Sequence, residues 1–99
     1  MAHRVAPEAE VELDNIWYYV AKASGSIEVA DRVIDTITER FYLLACYPHI
    51  GRHREEDLRP GLRSFHVGEY VIVYRIEEQD VLILHVFRGS RDLEALLRE

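Results

Sequence analysis

The sequence predicts an α+β domain in which a helical hairpin covers one face of a small, mostly antiparallel sheet, in the order β-α-α-β-β-β with a short closing helix. Three observations predict it. Two stretches of the first half carry apolar residues at helical spacing and are parted only by Ser24-Gly25-Ser26. Two runs rich in Val, Ile and Tyr fill 70–75 and 81–87, on either side of Glu77-Glu78-Gln79-Asp80. Runs that are apolar at every position read as strands covered on both faces. The 99 residues allow one domain, 1–99, and no more.

The elements follow in order. His3-Arg4-Val5-Ala6 is short and ambiguous, and as an edge strand it would be ended by Pro7. Pro7 suits the first turn of a helix, where its missing N–H costs nothing. Glu8, Glu10 and Glu12 then lie near the positive end of the helix dipole. Ala9, Leu13, Ile16, Trp17 and Val20 form one apolar stripe. Ser26 is the expected N-cap of the second helix, with Glu28 in its first turn. Ile27, Ala30, Ile34, Ile37, Phe41 and Leu44 line one face, and Val33 and Ala45 widen it. The pattern ends at Tyr47-Pro48, because a residue before proline disfavours the helical region. The short linkage predicts antiparallel helices. Residues 48–61 read as a charged, solvated loop. Strands are expected near 62–67, 70–77 and 81–88, joined as hairpins. Residues 91–98 can close the chain as a helix capped by Ser90 or Asp92.

Composition narrows the function. The net charge is -6 and the pI about 5.3. That excludes a protein that binds nucleic acid through its overall field. Four Lys and Arg stand against eight Asp and Glu in 1–47, and eight against ten in 48–99. Eleven of the twelve basic residues are arginine, Lys22 being the exception. Arginine favours bidentate pairing with carboxylates or phosphates, and either a partner or the fold itself can supply the carboxylates. Cys46 is alone, so no internal disulfide forms, which fits a reducing cytoplasm. No stretch approaches the roughly 18 apolar residues of a membrane span.

Several residues recur in an order that resembles the ParE branch of the RelE/ParE toxin superfamily. They are Leu13, Ile16 and Tyr19, then Ser24-Gly25, Ala45, Pro48 and Gly51-Arg52. Asp57-Leu58 and Gly61-Leu62-Arg63-Ser64-Phe65 follow, then Gly68, Tyr70-Val71-Ile72-Val73-Tyr74-Arg75 and Gly89-Ser90-Arg91-Asp92-Leu93. The resemblance implies the toxin of a type II toxin–antitoxin system that acts by binding, with DNA gyrase as target. It implies neutralisation by a ParD-like antitoxin, with operator DNA contacted only through that antitoxin. RelE-like members of the superfamily instead cut mRNA on the ribosome.

The two activities ask for different residues. An RNase needs a base, an acid and cations for the phosphate. Here the candidates are Arg63, which matches the sheet arginine of the RelE-like nucleases, with His85, Arg88 and Arg91. Many superfamily members carry histidine directly before the glycine that is Gly89 here, and this chain carries Arg88. Arginine stays protonated and makes a poor acid or base. His85 shares strand parity with Val81, Ile83 and Phe87 and is read first as a packed sheet residue. For a binding toxin, the expected partner contacts are Tyr18, Tyr19, Tyr42, Arg63, Arg75, Arg88 and Arg91. Trp17 and Phe41 are read as core. The arginines can equally pair locally with Glu69, Glu77 or Asp92, worth about 0–1 kcal/mol for each exposed pair. The histidines lack metal-ligand spacing, so no metal and no cofactor are expected.

Overall fold

A computed structural model describes residues 2–54 and 60–89. The expected closing helix, its caps and Arg91 lie outside them. The order is β1 (His3–Val5), α1 (Pro7–Ser24), α2 (Ile27–Cys46), β2 (Arg52–His53), β3 (Arg63–Val67), β4 (Tyr70–Glu77) and β5 (Asp80–Arg88). The five strands form one sheet in the spatial order β1-β5-β4-β3-β2. Only the β1–β5 pair is parallel. The α+β architecture expected from the sequence is the one observed.

Both helices start as their sequences dictate. Pro7 occupies the first turn of α1, and Glu8 and Glu10 lie beside it. The Ser26 hydroxyl caps α2 by accepting from the Val29 N–H at 3.2 Å. Ala9 and Ile16 of α1 and Ile37, Phe41 and Leu44 of α2 pack on the sheet. There they meet Val67, Ile72, Tyr74, Val81, Ile83 and Val86. Burying each of the larger aliphatic or aromatic side chains contributes about 1.5–3 kcal/mol. The opposite face of the sheet holds a second cluster of Leu62, Val71 and Val73, flanked by Leu84 and Phe87. The central strand β4 is therefore buried on both sides, as its unbroken apolar run requires.

Three readings of the helices and loop need correction. Ile27 lies at the very start of α2, ahead of the point where the helix reaches the core, and is 63% exposed. Trp17 is half-buried at the α1–α2 seam, and its indole N–H donates to Asp31 Oδ1 at 2.8 Å. Phe41 alone of the two aromatics is core. The segment after α2 is no purely solvated loop. Arg52 and His53 pair with Ser64 and Arg63, and Arg54 is buried with its guanidinium donating to the Ser64 hydroxyl at 3.1 Å. Charge composition missed this because it does not show that β2 runs beside β3 and brings Arg54 against Ser64.

A bulge corrects the parity of β5. Val73 faces His85 and Tyr74 faces Ile83, so Leu84 is the extra residue. Val81 and Ile83 point toward the helices, and Val86 rejoins them after the bulge. His85 and Phe87 share the other face, their rings stacked 4.9 Å apart.

Each hairpin turns through two residues, Gly68-Glu69 and Glu78-Gln79. Gly68 takes φ 57° without strain, whereas Glu78 takes φ 56° with a side chain. Glu78→Gly should therefore raise stability by about 0.5–1 kcal/mol in a urea titration, with the slope unchanged.

Candidate functional site

Six of the seven expected partner residues are described, and they fall in four places. At one end of the sheet, Tyr19 of α1 meets the last residue of β5. The Arg88 guanidinium lies 4.6 Å from the centre of the Tyr19 ring, and its Nε is 3.4 Å from Glu69 Oε2. A hydrogen bond to Tyr19 raises the Arg88 pKa above its ordinary value, and the Glu69 carboxylate adds to this. Burial, then the neighbouring Glu69 charge, pushes the Tyr70 phenol up. Arg88 is thus a permanently charged, pre-positioned cation on an aromatic plate.

A second place is the outer surface of the helices. Tyr18 and Tyr42 are 58% and 66% exposed. Lys22 Nζ sits 5.2 Å from the centre of the Tyr18 ring, and the edge of His3 meets Tyr42 at 4.8 Å. Rigid aromatics that stand in solvent are the common anchors of protein interfaces.

The third place is the junction of α2 with the sheet. Tyr74 is fully buried. Its hydroxyl donates to the Pro48 carbonyl at 2.7 Å and accepts from the Gly51 N–H at 2.9 Å. Burial raises the Tyr74 pKa, against the smaller opposing effects of the Gly51 bond and the Arg63 charge. Arg63 sits opposite Tyr74 in the ladder. It donates to the carbonyls of His49 and Gly51 at 3.3 and 3.0 Å, and to His53 Nε2 at 2.6 Å. Tyr74 and Arg63 together fasten the 48–53 segment to the sheet. Arg75, on the other face, pairs with Glu77 at 3.2 Å.

His85 is tied elsewhere. Its Nδ1 lies 3.2 Å from both carboxylate oxygens of Glu12, and Glu12 Oε1 also accepts from the Val86 N–H at 3.1 Å. Strand β1 ends beside Ile83, whose carbonyl accepts from Ala6 N–H. Glu12 takes over the strand edge where β1 stops. Sequence reasoning saw Glu12 only as a charge near a helix start. Its role depends on the bulge at Leu84, which no local pattern announces.

The four residues proposed for RNA cleavage are not assembled among the described residues. Arg63 and Arg88 belong to the helix side of the sheet, at positions paired with Tyr74 and Tyr70. His85 belongs to the other side with Phe87. Arg91 lies outside the described residues. Among the described residues there is also no group of three His, Cys, Asp or Glu able to hold a metal, and no helix long and apolar enough to cross a membrane. The arrangement presents surfaces and fixed charges.

Residues 4–93 match the sequence model described as ParE toxin of type II toxin–antitoxin system, parDE. Toxin ParE3 of Caulobacter vibrioides is 37% identical over 86 residues, covering 87% of this chain and 84% of that protein. Toxin ParE1 of the same organism is 30% identical and covers 96% of each chain. Toxin RelE3, also from Caulobacter vibrioides, is 29% identical over 82 residues. A solved chain described as the chromosomal ParDE TA system from P. aeruginosa superposes with a TM-score of 0.78, at 22% identity over 90% of this chain and 96% of that one. This last likeness concerns the fold.

Proposed function

This chain belongs to the ParE toxin family of type II toxin–antitoxin systems, and from that premise we propose that it arrests growth by binding DNA gyrase and is neutralised by a ParD-like antitoxin. The observation that carries this reading is the separation of Arg63, His85 and Arg88. Among the described residues, Arg63 and Arg88 are held at separate places on the helix side of the sheet and His85 on the other, each by a different neighbour, so neither arginine shares a site with the His85–Glu12 pair. A toxin so built acts by occupying a surface. The exposed tyrosines Tyr18, Tyr19 and Tyr42 and the cations Arg75 and Arg88 are its partner contacts, joined by Arg91 from outside the described residues. Arg63 contributes by holding the 48–53 segment against the sheet. Operator DNA is reached only through the antitoxin, in keeping with the net charge of -6.

Purified toxin added to a gyrase supercoiling reaction should inhibit it in a dose-dependent way. Purified antitoxin from the neighbouring gene should restore supercoiling at about one equivalent. Full supercoiling in the presence of a large excess of folded toxin contradicts the proposal.

A further inference from the structure

A groove of about 260 Å³ opens between α2 and the β3–β4 turn. Val29, Val33 and Ile37 line it from the helix and Val67 from β3, so its walls are apolar. Two charged residues border these walls, Arg32 on α2 and Glu69 in the turn. Glu69 is drawn toward Arg88, whose Nε lies 3.4 Å from its Oε2. The Arg32 guanidinium makes no hydrogen bond or ion pair among the described residues, although Glu28 and Asp35 lie about one turn away on the same helix. Tyr70 also lines the groove, and its hydroxyl makes no hydrogen bond among the described residues. Burial raises the pKa of that phenol, so it keeps its proton at neutral pH and remains a donor.

Size and charge together select a class of ligand. An apolar cavity of about 150 Å³ already admits benzene, and sites for drug-sized molecules begin at about 300 Å³. This groove suits a molecule between those sizes, with one ring or a chain of several methylenes. A cationic head would face the Arg32 charge, and a neutral one would leave it unused. An anionic head gains a charge-assisted hydrogen bond there. Arg32 is exposed, so such a head keeps part of its hydration and the pairing itself is modest. Burial of the tail supplies most of the affinity, and Arg32 sets the sign of the charge that is accepted.

We propose that this groove is a binding site for a small amphipathic carboxylate, an alkanoate or arylalkanoate, with its tail against Val29, Val33 and Val67 and its carboxylate on Arg32. The site is independent of which macromolecule the toxin meets.

The test titrates octanoate into the isotopically labelled toxin and follows backbone amide shifts. A ligand of about ten non-hydrogen atoms should bind with a Kd of about 0.1–1 mM. The amides of Val33, Thr36, Val67 and Gly68 should move most. From butanoate to octanoate the affinity should rise about fourfold per methylene. Octylammonium should bind about tenfold more weakly than octanoate, and Arg32→Glu should reverse that order. Thr36→Trp fills the groove from an exposed helical position and should abolish binding of both. The amide spectrum of each variant reports its fold. If Arg32→Glu fails to fold, the octylammonium comparison and Thr36→Trp carry the decision. Equal affinity for octanoate and octylammonium, or unchanged octanoate binding in folded Arg32→Glu or Thr36→Trp, overturns the proposal. Shifts scattered over the surface, or no saturable shift at about ten times the expected Kd, also overturn it and leave the groove to a macromolecular partner.

Discussion

Gly51→Ala should destabilise the protein by about 2–4 kcal/mol. A methyl group at this position would lie 2.7 Å from Cε1 and Cζ of Tyr74 and closer still to its hydroxyl oxygen. The Tyr74 ring cannot retreat, because it is fully buried in the core between helices and sheet. Overpacking of this kind costs about 1–3 kcal/mol. Moving the ring also breaks its bonds to Pro48 and Gly51, and each buried group left without a partner costs about 1–3 kcal/mol. A domain of this size has a stability of only about 5–15 kcal/mol. The substitution should therefore lower the melting temperature by roughly 4–8 °C for each kcal/mol lost. Tyr74→Phe offers a useful comparison. It removes the hydroxyl without a clash and should cost less than Gly51→Ala. A Gly51→Ala protein that melts like the parent would show that the 48–53 segment is not fastened in this way.

Glu12→Ala should be the next most damaging, at about 1–3 kcal/mol. The carboxylate serves the Val86 N–H and His85 Nδ1 together. Removing it leaves a strand-edge N–H without that acceptor and exposes the end of β5. Glu12→Gln keeps an acceptor for Val86 and should fall between the parent and the alanine variant. The damage should be local. Amide exchange at Val86 should accelerate more than exchange at Ile83, whose own edge is covered by β1.

Much of the fold was legible before any coordinates. The two helices announced themselves through period and capping, and Ser26 caps as its position implies. The β4 run was readable as doubly covered because alternation fails there for a physical reason. The parallel partnership of β1 with β5 was less visible, since three residues carry too little pattern to choose a neighbour. The bulge at Leu84 was not legible. It reverses which face His85 occupies, so any role read from strand parity had to change with it. Arg54 was hidden for the opposite reason, since its setting in a charged segment suggested solvent while its hydrogen bond to Ser64 lies inside.

The candidate site shows the same division. Exposed Tyr18, Tyr19 and Tyr42 could be placed at helix edges from spacing alone. The order Pro48, Gly51, Arg63 and Tyr74 was visible as part of a resemblance, but its cause was not. These four residues make one fastening, in which a phenol and a guanidinium hold successive carbonyls and an N–H of the chain leaving α2. That contact spans more than twenty residues of sequence, so no local window contains it. Residues that travel together in a family pattern can thus be explained here by architecture.

The central claim is that the toxin works by occupying a partner's surface and transfers no proton. The most direct measurement maps transcript 5′ ends after induction of the parent toxin and of His85→Asn, whose amide nitrogen stands where Nδ1 donates to Glu12 but cannot act as an acid–base group. The account predicts growth arrest in both cultures, with no codon-positioned cuts in either. Ribosome-dependent cuts in the parent culture that disappear with folded His85→Asn would contradict it.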